Sequence, residues 1–177
     1  TAVGVAGQFV AAGGAGAVST PVTDVPDDGG EFEALTGDIE TVRQRLRARA
    51  TTVVAAGGCF DLLHTGHVRL LRQARLLGDA LVVLINSDRS VRALKGAGRP
   101  VMAAADRARV LSALACVDAV LVFDEDSPAQ ALARLRPDVW VKGGDYADAP
   151  LPEAEVVRRY GGEVVLLPTV AGYSSSN

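Results

Sequence analysis

The chain has two histidines in 177 residues, His64 and His67, three positions apart. They close the run Gly57-Gly58-Cys59-Phe60-Asp61-Leu62-Leu63-His64-Thr65-Gly66-His67, which follows the apolar stretch 52–56. That spacing around a helix start lets both imidazoles reach one side. An apolar strand leading through glycines into a helix describes the strand-to-helix turn of a parallel sheet, where amides at the helix N-terminus point outward and bind anions. Gly57 and Gly58 are expected to allow a tight turn beside a ligand, and Gly66 to remove a Cβ where a phosphate approaches. Two imidazole donors next to a helix N-terminus suit a negatively charged phosphorus centre. Two competing readings are an incidental surface pair and a fragment of a metal site. A histidine pair with no third Cys or His nearby is a poor zinc site. Glycines, context and the confinement of histidine to this turn together favour the phosphate reading.

A protein of net charge −3 that binds anions needs local positive charge. It has sixteen arginines but only two lysines, Lys95 and Lys142. Arg89, Arg92, Lys95 and Arg99 fall in what reads as a loop after the second strand, and Arg107 follows. Each arginine also reads as a solvated surface cation. Lys142 stands before Gly143-Gly144-Asp145, where the lysine suits a phosphate and Asp145 a metal-bound water. Asp61 either holds its loop or touches such a water. No protein metal ligand set is expected, so Mg²⁺ would be held through phosphates. Cys59 would contribute its backbone rather than its thiol. Trp140 and Cys116 read as core.

The elements that must position these residues follow from periodicity. Apolar runs at 52–56, 81–85, 119–123, 139–141 and 163–167 read as strands, and helices are predicted at 37–50, 67–77, 103–114, 128–135 and 152–160. Ile39, Val42 and Leu46 should face inward from the first helix, and Val68, Leu71 and either Ala74 or Leu77 from the second. The arginines at 43, 45, 47 and 49 read as a solvated helix end. Ser127 before Pro128 reads as an N-cap. Continuously apolar strands alternating with helices mean an α/β fold, Rossmann-like and doubly wound, with a five-stranded parallel sheet covered on both faces.

The pattern G-x-F-D-x-x-H-x-G-H over Gly58 to His67 resembles the signature of the cytidylyltransferase-like nucleotidyltransferase superfamily. Three further segments narrow the branch: Asn86-Ser87-Asp88 with Leu94-Lys95-Gly96 and Arg99-Pro100-Val101; Val141-Lys142-Gly143-Gly144-Asp145-Tyr146; and Leu151-Pro152-Glu153-Ala154-Glu155-Val156-Val157 running to Leu167-Pro168. Together, over roughly 35–177, they are similar to the adenylyltransferases of ADP-heptose synthesis. The resemblance implies strand order 3-2-1-4-5, with the Lys142 loop facing the histidines across the crevice. It implies transfer of AMP from ATP, as its Mg²⁺ complex, to D-glycero-β-D-manno-heptose 1-phosphate. It assigns His64, His67 and Lys142 to catalysis. Cys59, Phe60, His64, Gly66, His67, Ser174, Ser175 and Ser176 would hold nucleotide. Lys95, Arg99, Lys142, Gly144 and Asp145 would hold substrate. Two departures stand out. Thr169 occupies the place where cytidylyltransferases of the glycerol-3-phosphate type carry an arginine, which argues against CTP. The closing motif appears as Ser174-Ser175-Ser176, and the sequence ends at Asn177 before the helix expected there, so weak nucleotide binding is anticipated.

Composition bounds the rest. A hydrophobic fraction of 49% excludes global disorder, and pI 5.4 speaks against a nucleic-acid partner. Two cysteines cannot build a disulfide framework, which makes a reducing cytoplasm the default. Residues 1–23 carry no charge, are too glycine-rich for a membrane helix and lack a signal peptide's basic start. The chain opens on Thr1, and this segment is expected to be the tail of a preceding sugar-kinase domain, with 24–35 as linker and 36–177 as the nucleotidyltransferase domain. The expected partners are ATP, a sugar 1-phosphate, that kinase and a second copy of the chain. Three alternatives remain: a cytidylyltransferase for a polyol or aminoalcohol phosphate, a non-catalytic nucleotide-binding module, and a dinucleotide redox domain. The last fits poorly, because the glycine loop lacks a third glycine and no acidic residue ends the second strand.

Overall fold

A computed structural model describes residues 38–143 and 151–168. The segments assigned to a kinase tail and a linker lie outside the described residues, as do Gly144, Asp145, Tyr146, Thr169 and Ser174 to Ser176.

The elements run α1 (Ile39–Arg47), β1 (Val53–Gly58), α2 (Thr65–Arg75), β2 (Ala80–Asn86), α3 (Asp88–Lys95), α4 (Ala104–Ser112), β3 (Ala119–Phe123), α5 (Ala129–Leu135), β4 (Val139–Gly143), α6 (Pro152–Arg159) and β5 (Glu163–Leu167). The strands form one sheet in the order β3-β2-β1-β4-β5, as expected, with every pair parallel. Alternate strand residues feed two cores because successive side chains leave a strand on opposite faces. Val53, Ala55, Val82, Leu84, Leu121 and Trp140 meet α1, α5 and α6 on one side. Val54, Ala56, Leu81, Val83, Val120 and Val141 meet α2 and α4 on the other. Burial on both faces is why the strands read as unbroken apolar runs rather than alternating ones. Trp140 is core, fully buried as expected, whereas Cys116 is only half-buried.

Three aspartates just ahead of strands clip the N-terminal edge of the sheet. Asp79 accepts from the amides of Thr51 and Thr52, Asp118 from Leu81, and Asp138 from Val53 at 2.7 Å. Asp138 also takes Arg47 at 2.6 Å. Arg47 is therefore a tether rather than part of a freely solvated helix end.

Several expectations need correction. β1 extends through Gly57 and Gly58, so these glycines belong to the strand and not to a turn. Their missing Cβ is needed for packing: at Gly57 it would lie 2.3 Å from Trp140 Cη2, and at Gly58 3.2 Å from the Phe60 ring. The turn is made two residues later by Phe60, at φ 47°. α2 begins at Thr65 and buries Leu71 and Ala74, while Leu77 is exposed and Val68 half-buried. α3 replaces the loop expected after β2. Ser87 caps it by accepting from the Ser90 amide, and Gly96 ends it at φ 97°. A capping serine and a stop glycine were present in the sequence, but the helix has no apolar stripe: Val91 is buried and Leu94 exposed.

Candidate active site

β1 delivers its C-terminal end to the loop 59–64, and α2 opens immediately afterwards. His64 occupies the N-cap position of α2 with extended backbone, Gly66 lies in the first turn, and His67 follows in that turn. The two imidazoles stack with centroids 3.8 Å apart and planes 23° from parallel. The Phe60 ring tilts against His67 at 5.0 Å. The pair expected from spacing is thus one structural unit at the mouth of the first βα turn.

Burial, together with the fields of His64 and Lys95, pushes His67 down to about 4; its hydrogen bond to the Leu62 backbone works weakly the other way. His67 is therefore a neutral imidazole at pH 7. Its Nδ1 is buried and has no hydrogen-bond partner among the described residues. A buried polar atom left unsatisfied costs about 1–3 kcal/mol, which a bound ligand would recover.

Both lysines of the chain converge here. Burial pushes the Cys59 thiol up, and the positive fields of Lys95, Arg107 and Lys142 reach it in the opposite sense. Lys95 ends α3, and Lys142 sits near the end of β4, on the other side of β1. β1 is the strand where the sheet order reverses, which is the place for ligands in such folds. Lys142 Nζ donates to Glu153 Oε1 at 2.7 Å, and Glu153, near the start of α6, is 3% exposed.

Asp61 is 1% exposed and fully engaged. Its Oδ2 takes Arg99 Nη1 at 2.8 Å, and its Oδ1 takes the amides of Val101 at 2.6 Å and Met102 at 3.3 Å. Burial alone would raise this carboxyl, but the Arg99 contact and the two amides outweigh it and hold it below the ordinary range. Of its two expected roles, the loop-holding one fits. Its second expected role, touching a metal-bound water, would have to use oxygens that already accept from Arg99, Val101 and Met102. No group of three or more His, Cys, Asp or Glu able to hold a metal occurs among the described residues. Arg99 is brought to the site's edge but lies against Asp61.

The remaining arginines divide. Arg89 turns away to Asp124 and Asp126 beyond β3, and Arg92 is exposed. Arg107, expected to be a surface cation, is instead buried, with a side chain 0% exposed. Its Nη1 donates to Cys59 O at 2.6 Å, its Nε to Met102 O at 3.0 Å, and its Nη2 to Asp88 Oδ1 at 2.7 Å. The sequence held one faint signal for this: Arg107 shares the inward stripe of α4 with Ala108 and Leu111. Glu153 and Asn86 were also missed. Asn86 is buried at the end of β2, donates to Ser90 Oγ at 2.9 Å and faces the Cys59 thiol at 3.7 Å.

Comparison with known proteins covers the stretch that carries these residues. The cytidylyltransferase-like family matches residues 55–171, a span that includes both histidines and both lysines. The chain belongs to the cytidylyltransferase-like family. Within that family's reach it is 61% identical to the bifunctional protein HldE of Streptomyces coelicolor over 99% of this chain, and 54% identical to HldE of Koribacter versatilis over 75%. It spans 37% and 27% of the lengths of those relatives. Among solved structures, the lipopolysaccharide core biosynthesis protein of Thermoplasma volcanium superposes with a TM-score of 0.54 at 28% identity, covering 67% of this chain and 96% of that one. The pantoate-beta-alanine ligase of Francisella tularensis reaches 0.52 at 11% identity, covering 77% and 67%, which speaks for the fold alone.

Proposed function

We propose that this cytidylyltransferase-like chain is an adenylyltransferase that moves AMP from ATP to a sugar 1-phosphate, D-glycero-β-D-manno-heptose 1-phosphate. An oxygen of the sugar phosphate bonds to the α-phosphorus of ATP. The bond from that phosphorus to the bridging oxygen breaks, and pyrophosphate leaves, giving ADP-heptose. The single observation behind this reading is the stacked His64–His67 pair at the β1–α2 turn, with Lys95 and Lys142 carried on either side of β1. The similarity to HldE proteins, described as bifunctional, supports the heptose substrate and a sugar-kinase partner elsewhere in the same protein.

The nucleophile is a phosphate oxygen, already ionised near neutrality, so the site needs no general base. Positioning and charge stabilisation must lower the barrier. The imidazoles of His64 and His67 donate hydrogen bonds to phosphate oxygens as negative charge builds in the transition state. Lys95, Lys142 and Arg99 supply the positive field for the two anions. Cys59, Phe60 and Gly66 offer backbone to the nucleotide, and ATP is taken as its magnesium complex through its phosphates. Gly144 and Asp145 are assigned to the sugar phosphate, and Ser174, Ser175 and Ser176 to the nucleotide.

Incubating the purified protein with Mg²⁺, the heptose 1-phosphate and either ATP or CTP, while measuring pyrophosphate, tests the assignment. Release with ATP is expected. Release with CTP alone would replace it by a cytidylyltransferase.

A further inference from the structure

Arg107 is the feature that the proposed chemistry leaves unexplained. A guanidinium keeps its charge at any working pH, so burying it is costly unless its donors are satisfied. Packing alone would be served as well by a methionine or leucine of similar volume. Arg107 meets one counter-charge, Asp88, and two backbone carbonyls, those of Cys59 and Met102. The Met102 segment is also held by Asp61 through two amides and Arg99. Among the described residues, no other side chain holds the Cys59 carbonyl.

A trans peptide points its C=O and N–H in opposite directions. Drawing the Cys59 carbonyl toward α4 therefore turns the Phe60 amide away from α4. That helix packs on β2 and β3, whereas β4 lies on the other side of β1. Lys142, on β4, lies on that other side. Phe60 completes the reversal at φ 47°, a conformation that a non-glycine residue keeps only when its surroundings enforce it.

We propose that Arg107 is a positioning residue for the nucleotide, holding the Cys59–Phe60 peptide turned so that the Phe60 amide is presented to a phosphate of the bound nucleoside triphosphate. This rests on the nucleotide-binding reading above and adds a residue to it. Arg107 touches neither substrate; it acts through the peptide.

The test compares wild type, R107K and D88N for Mg²⁺–ATP affinity by calorimetry and for the KM values of both substrates, with thermal unfolding as a check on folding. R107K should weaken ATP binding about tenfold, a change of about 1.4 kcal/mol, with the sugar phosphate KM unchanged within about twofold. D88N keeps the arginine but removes its counter-charge at a partly exposed edge, and should shift ATP affinity the same way by about threefold. Folded variants with unchanged ATP affinity overturn the proposal, as does a parallel loss for both substrates, which marks general loosening. Should R107K fail to fold, D88N decides: ATP affinity equal to wild type overturns the proposal. A wild-type protein that binds ATP but transfers nothing defeats the adenylyltransferase reading, while the ATP affinities still read Arg107.

Discussion

The two imidazoles are close enough to act on one phosphate group, and their electrostatics decide how. Lowered to about 4 by burial, His64 and Lys95, the His67 ring carries no charge at pH 7, so the cationic work falls to Lys95 and Lys142. Replacing either histidine by alanine should lower the rate of pyrophosphate release about 10²–10³-fold while ATP binding persists. A variant that kept full turnover would remove the histidines from the chemistry, and one that lost binding and turnover together would make them a docking element. Lys142 lies against Glu153 and Arg99 against Asp61. Both cations are thus placed by buried carboxylates, a division of labour that residue types alone do not reveal.

At the level of elements, β1 and the turn after it position everything else. Gly57 lets the Trp140 ring of β4 bring its Cη2 edge up against the strand. A methyl group there would meet Cη2 at 2.3 Å, and neither a strand backbone nor an indole moves cheaply. Gly57→Ala should destabilise the fold by about 1–3 kcal/mol in urea unfolding, typical of overpacking in a close-packed core. An unchanged midpoint would mean that Trp140 has room to shift. Past the strand, the loop is stitched at Cys59 by α4 and at Asp61 by the 99–102 segment. The histidines therefore stand on a braced turn.

For the whole molecule, acid is the relevant stress. The ordinary value for histidine is 6.5, and His67 in the fold is near 4. Below 6.5 the unfolded chain takes up a proton that the folded chain refuses, so stability falls as pH drops from about 6.5 toward 4. Asp61 and Asp138 are depressed in the fold, despite burial pushing them upward, through Arg99 and Arg47 with backbone amides. Their contribution is present above the ordinary aspartate value and is lost as pH falls further through their folded values. Thermal unfolding should show a midpoint that declines in two stages, and H67N should abolish the first. A flat midpoint between pH 7 and 4.5 would contradict the burial of a neutral His67. No helix among the described residues is long and apolar enough to cross a membrane.

Much of this was legible in the chain. Local periodicity reports how much of each segment is buried, so the parallel strands, their helices and the histidine turn could be read directly. The resemblance supplied the strand order. α3 was not legible, because its sequence carries caps without an apolar stripe. The purposes of Gly57, Asp61, Arg107 and Glu153 emerged only in three dimensions. Arg107 meets the Cys59 carbonyl across 48 positions of sequence and Asp61 meets Arg99 across 38. Such pairings depend on which loops the sheet brings side by side, and no local pattern encodes that. Residue types and spacing determined what chemistry this protein can do; tertiary structure decided which charges are free for a ligand and which are spent holding the backbone in place.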